Sequence, residues 1–198
     1  MKLNFLSKKI FQLILALFVG TLSILSQSEK VSITNSYNGF SLKVEGKNFM
    51  IKGVNWDVIP IGKNAVNANF WEGSDEIIKS GLDNEMSLLR DMNINAIRHY
   101  SGIPAKWIQY IYENYGIHTM INHSFGRYGM SIDGEWNPIT DYSNPKMQKI
   151  LLSEIEIMVS NYKNTPGLLL YLLGNENNYG LFWSGAETED FPEEETEK

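Results

Sequence analysis

The chain has 198 residues, 43% of them hydrophobic, so one ordinary globular domain is the starting expectation. It carries 23 acidic against 17 basic residues, a net charge of −6, which is a poor balance for gripping the polyanionic backbone of nucleic acid. It has no cysteine, which excludes disulfides, thiolate metal sites, cysteine nucleophiles and the acylated cysteine of a bacterial lipoprotein.

Residues 1–26 read as a secretory signal. Lys2, Lys8 and Lys9 form a positive head, Ile10 to Leu25 an apolar middle, and Ser26, Gln27 and Ser28 a small polar exit. The apolar stretch is shorter than the ~20 residues that span a bilayer, so cleavage is expected, with no stable membrane span afterwards. The protein is then secreted or periplasmic; the alternative is an uncleaved signal that anchors it to the membrane. Cleavage removes lysines and no acid, which leaves the mature chain more acidic still.

Residues 31–52 follow as a short β-hairpin region. Phe40, Leu42 and Val44 alternate with polar residues, Gly46-Lys47 supplies a turn, and Phe49 and Ile51 alternate again. The second arm runs on into Gly53 to Gly62, a polar and aromatic loop with a proline. A helix comes next. Ser74 is its cap, Asp75 and Glu76 favour its positive end, and Ile78, Leu82, Met86, Leu89 and Met92 form its buried stripe. Gly81 is expected to weaken it locally. Ile94 to Tyr100 is a strand. Pro104 opens a second helix with Trp107 or Ile108, Ile111 and Tyr115 buried, and Gly116 ends it. Ile117 to Ile121 is a third strand, followed by a long loop with Gly134, Trp136 and Pro138. Ser143 or Asn144 caps a third helix with Pro145 at its first position and Met147, Leu151, Ile155, Met158 and Tyr162 as its stripe. After Thr165-Pro166-Gly167, the unbroken run Leu168 to Leu173 predicts a strand buried on both faces.

Strands alternating with helices mean a parallel sheet with helices packed outside it. Two architectures fit: an open doubly wound sheet, or the first half of a (β/α)8 TIM barrel. The glycine-rich phosphate turn of a nucleotide-binding sheet is missing after the first strand. Every strand instead ends in polar or aromatic residues: Asn55, Trp56 and Asp57; Arg98, His99 and Tyr100; Asn122 and His123; Asn175 and Glu176. Such loading at the carboxyl ends of strands is the pattern of barrel enzymes. The expected fold is therefore α/β, a partial TIM barrel of four βα units over 53–183, preceded by the hairpin at 31–52. A full barrel has eight such units and ~250 residues. Here four are spent by residue 178, and Glu187 to Lys198, with seven acids and one lysine, reads as part of a solvated acidic tail over 184–198.

Three segments carry a family resemblance: FMIKGVNWDVIPIG, NAIRHYSGIP and LLLYLLGNENNYG. They resemble the first, second and fourth barrel strands of retaining glycoside hydrolases of the β-galactosidase and β-glucuronidase type, family 2 of the large β/α-barrel clan. The PIG and GNE segments are also similar to β-1,3-glucanosyltransferases of that clan. The resemblance implies a β-linked glycan or oligosaccharide as partner, and no cofactor or metal. It implies Glu176 as general acid and then base, Asn175 as the contact to the sugar 2-hydroxyl, and Arg98 as the residue that orients the nucleophilic carboxylate. Trp56, His99 and His123 would line the sugar subsite, with Asn55 and Tyr179 as further substrate contacts. The family's nucleophilic glutamate lies on a seventh strand, which these residues do not supply, so the chain is expected to be a fragment, inactive alone. Other readings stay open. Arg98 can serve a structural ion pair, His99 and His123 can be structural histidines, and Trp56 can be a core plug. The whole chain can also be a non-catalytic glycan-binding module.

Overall fold

The computed structural model describes residues 30–37, 39–59, 70–100 and 102–175. Residues 1–26, expected to be a signal, together with Glu176, Tyr179 and the acidic stretch 184–198, lie outside the described residues. Three antiparallel strands open the fold: β1 (Val31–Ser36), β2 (Gly39–Val44) and β3 (Lys47–Asn48). The expected second hairpin arm is only two residues long here. Val44 pairs Lys47 around Glu45 and Gly46, both at positive φ, while β1 pairs the full length of β2.

The main sheet follows. β4 (Gly53–Asn55) is continued by Trp56, whose N–H donates to the Arg98 carbonyl at 2.9 Å. A 3₁₀ turn (Phe70–Glu72) leads to α1 (Asp75–Asp91). Ser74 caps it, accepting from the Ile77 N–H at 3.4 Å. Ile78, Leu82 and Met86 are fully buried; each such side chain contributes ~1.5–3 kcal/mol relative to exposure. Met92 falls at the helix C-cap and is exposed, so the stripe ends one turn early. Gly81 is less a weak point than a notch: a Cβ there would meet the Phe70 ring at 3.0 Å.

β5 (Ala96–His99) leads to α2 (Ala105–Tyr115), with Pro104 as its N-cap and Gly116, at φ 67°, as its left-handed C-cap. Trp107 and Ile108 are both buried, because the helix lies deep against the sheet. β6 (His118–His123) is followed by a feature absent from the sequence expectations, the hairpin β7 (Met130–Ile132) and β8 (Glu135–Asn137). Its turn is Asp133-Gly134, with φ of 52° and 87°. α3 (Pro145–Tyr162) starts at Asn144, whose side chain accepts from the Lys146 N–H at 2.9 Å. β9 (Leu168–Leu173) completes the described sheet.

Strands β4, β5, β6 and β9 are parallel neighbours in chain order, without the reversal that marks a doubly wound sheet. Their alternation separates two layers. Ile97, Ile121, Leu168 and Tyr171 face the helices, in one core with Leu82, Ile108 and Met158. Ala96, Met120, Leu169, Leu170 and Leu172 face the other way, where Val44, Leu42 and Phe49 of the β1–β3 region cover part of them. A bulge beside Thr119 and Met120 explains why Leu169 and Leu170 share one face. The apolar run of β9 is less enclosed than expected. Only Leu169 is fully buried and Leu173 is 53% exposed, because β9 is the last strand of the described sheet.

One polar clamp ties α1 to α2. The Asp83 carboxylate accepts from Lys79 Nζ at 2.6 Å, Tyr110 OH at 2.5 Å and Tyr115 OH at 2.6 Å. The Lys79 ammonium first, then the two phenols, hold Asp83 down to about 2, from an ordinary 3.8. A carboxylate depressed on folding adds stability that is full above its unfolded value and lost as pH falls through its folded one. In urea denaturation the advantage of the wild type over Asp83→Asn is thus expected to be full at pH 5. It should shrink between about pH 4 and pH 2. A gap that stays constant with pH contradicts the clamp.

Candidate active site

Strand period decides which side chains meet. Along a β-strand consecutive side chains point to opposite faces, and partners opposite each other in a parallel ladder share a face. Asn55 lies opposite Arg98, Arg98 opposite Met120, and Asn122 opposite Leu172. Arg98 and Asn122 therefore emerge on the face away from the helices, at the carboxyl end of the sheet.

There Arg98 is the hub. Its Nε and Nη2 donate to Asn122 Oδ1 at 3.1 and 2.5 Å, and Nη2 also donates to Asn175 Oδ1 at 2.8 Å. Three strands are joined by one guanidinium. Its carbon sits 4.7 Å from the centre of the Tyr100 ring, a cation–π contact. Guanidinium is donor-only, so both amides must turn their oxygens to it. Asn122 spends its nitrogen on the His123 carbonyl at 3.2 Å. Asn175 is left with its amide nitrogen directed away from Arg98. Gly174, at φ 103°, turns the chain just before Asn175, and its N–H still bonds the His123 carbonyl at 2.8 Å. Among the described residues Arg98 has no acidic partner, so the rival reading of a structural ion pair finds no acid here. The arrangement presents a fixed positive charge and polarised amides, a setting for hydroxyl oxygens or a second carboxylate.

The other expected contacts separate from this hub. His99 is fully buried on the helix side, its ring 5.9 Å from that of Trp56 and 5.6 Å from that of Trp71. Its Nδ1 lies 3.2 Å from the Trp56 carbonyl and 3.4 Å from Asp57. His123 also faces the helices. Its Nδ1 accepts from the Phe125 N–H at 3.0 Å and its Nε2 lies 3.5 Å from Glu154 of α3. Trp56 is 7% exposed, packed in the core, and its indole N–H donates to Glu85 at 2.6 Å. These three side chains lie away from the Arg98 hub, in the positions that the open structural readings of them describe, because the pleat sends odd and even strand positions to opposite faces. Asn55 stays on the Arg98 side and is exposed. Glu176 and Tyr179 are outside the described residues. Asn122, as an Arg98 partner, and Tyr100 are among the strand-end residues of the sequence reading but carry no role there. Parity finds both: Tyr100 is two residues on from Arg98, and Asn122 two residues on from its ladder partner Met120. Among the described residues no cluster of three metal-ligating side chains occurs, and no helix is long and apolar enough to cross a membrane.

Comparison with known proteins follows the same lines. The family described as "Glycosyl hydrolases family 2, TIM barrel domain" matches residues 38–185. A β-galactosidase of Lactococcus lactis subsp. lactis is 27% identical over 143 residues, covering 70% of this chain and 12% of that protein. A β-galactosidase of Oenococcus oeni is 26% identical over 178 residues, covering 86% and 15%. One of Vibrio vulnificus is 25% identical over 142 residues, covering 70% and 12%. The chain thus spans between 12% and 15% of the length of these relatives.

Proposed function

This chain belongs to glycosyl hydrolase family 2, within its TIM barrel domain, and on that premise we propose that it supplies the acid/base half of a retaining site for a β-linked glycan. The observation that supports this most is Arg98 joining Asn122 and Asn175 at the carboxyl ends of three adjacent parallel strands. Barrel enzymes build their sites at that end. Glu176, the next residue, protonates the leaving glycosidic oxygen and then activates water. Asn175 offers its amide nitrogen to the sugar 2-hydroxyl. Arg98 orients the second carboxylate, which belongs to a later strand of the barrel. The four described parallel strands are the first four of that barrel, and residues 31–52 are its lead-in.

Retaining displacement needs two carboxyl groups ~5–5.5 Å apart. Residues 1–198 are therefore expected to bind 4-nitrophenyl β-galactoside, 4-nitrophenyl β-glucoside or a β-1,3-glucan but to turn them over negligibly. Robust turnover that persists in Glu176→Gln overturns the assignment. Turnover abolished by that change keeps the acid/base and overturns the remote nucleophile. The charged head and apolar stretch of residues 1–26 support export. An exported protein with its N-terminus near Ser26 agrees with that, an exported one retaining Met1 is the anchored alternative, and protein left in the cytoplasm contradicts export.

A further inference from the structure

The hairpin β7–β8 holds an aromatic plate that the acid/base chemistry does not use. Trp136 is 61% exposed. It sits opposite Ser131 on a hairpin closed by Asp133-Gly134. It is not a loose surface residue. Gly129 lies under it so closely that a Cβ there would come within 2.9 Å of the indole and 2.4 Å of the Asn137 carbonyl. Only glycine, at φ 83°, allows the ring to rest on the backbone. Tyr128, one residue earlier, and Ile139 are exposed as well.

The hairpin is braced at both ends. Met130 packs with Met147 and Leu151 of α3, and Lys146 pairs with Asp133. At its neck Thr140 Oγ1 donates to the Gly126 carbonyl at 2.6 Å, and Tyr142 OH to the Phe125 carbonyl at 2.8 Å. That neck begins three residues after Asn122, so the hairpin rises from the sheet end that carries Arg98 and Asn175. A large ring held rigid in water loses little entropy on binding, and its π face suits the weakly positive C–H bonds of a sugar ring.

We propose that Trp136 is a stacking platform for a β-linked oligosaccharide, receiving sugar units beyond the one held at Arg98. The inference rests on the sugar site proposed above, which it extends from a single ring to a chain. It is tested by isothermal titration of the full chain with laminaritetraose, cellotetraose and β-1,4-galactotetraose, each against its own monosaccharide. Trp136→Ala should weaken the best-bound tetrasaccharide about tenfold and leave its monosaccharide unchanged. Trp136→Phe should keep most of the affinity, which separates stacking from loss of fold. Arg98→Ala should weaken both sugars. Tetrasaccharide affinity unchanged in Trp136→Ala but lost in Arg98→Ala overturns the platform and leaves the sugar site standing. Loss in Trp136→Ala alone, with Arg98→Ala as wild type, keeps the platform and overturns the site at Arg98. Wild-type protein that binds none of these five sugars overturns both.

Discussion

Arg98→Ala is expected to weaken sugar binding at least ~100-fold, the largest functional effect of any single change in the described residues. Three donor contacts vanish together, two to Asn122 and one to Asn175. Hydrogen bonds to a charged group contribute about 1.5–3 kcal/mol each. Asn122 is 4% exposed, so its oxygen is left buried and unpaired, at a further cost to folding of about 1–3 kcal/mol. Arg98→Lys restores the charge without the fork, and should recover stability better than affinity. Titration with methyl β-galactoside or methyl β-glucoside beside a urea melt separates the two losses. Affinity within about twofold of wild type in Arg98→Ala contradicts the hub role.

Gly167→Ala is expected to cost about 2–5 kcal/mol of stability, with a drop in Tm of roughly 5–20 °C. Gly167 has a φ of 80°, which an L side chain adopts only with strain, and its added Cβ would fall 2.3 Å from Tyr112 Cβ. The chain cannot simply shift, because the Gly167 carbonyl accepts from the Thr119 N–H at 2.8 Å and starts the pairing of β9 with β6. That pairing delivers Asn175 to Arg98. A melting temperature unchanged within about 2 °C shows that the neighbouring helix yields freely and contradicts this account.

Much of the helix layer was legible because apolar spacing and capping chemistry are local signals. Ser74, Asn144, Gly116 and the stripes of α1, α2 and α3 are read from single windows of sequence. The strand at Leu168 to Leu173 was equally plain. What escaped depended on neighbours distant in the chain. The pleat sends Arg98 and His99 to opposite faces, and only the ladder shows that Asn122 shares the face of Arg98. The bulge beside Met120 reverses the parity of β9, which no composition rule announces. Gly81 looked like a weak point until Phe70 filled it. The β7–β8 hairpin is different. Asp133-Gly134 between Met130–Ile132 and Glu135–Asn137 is a strong turn signal, and it was hidden by treating a long segment as one loop.

The central claim is that one sugar ring sits beside Asn175 and Arg98, with Asn122 buried behind them as the partner of Arg98, at the carboxyl end of the parallel strands. Its most direct test is a ¹⁵N NMR titration of the full chain with methyl β-galactoside or methyl β-glucoside, following side-chain N–H signals. The Asn175 and Asn122 amides and the Arg98 Nε–H should shift together and saturably, while the signals of His118, at the amino end of β6, stay fixed. Saturable shifts that gather elsewhere and leave these three residues unmoved would contradict the claim.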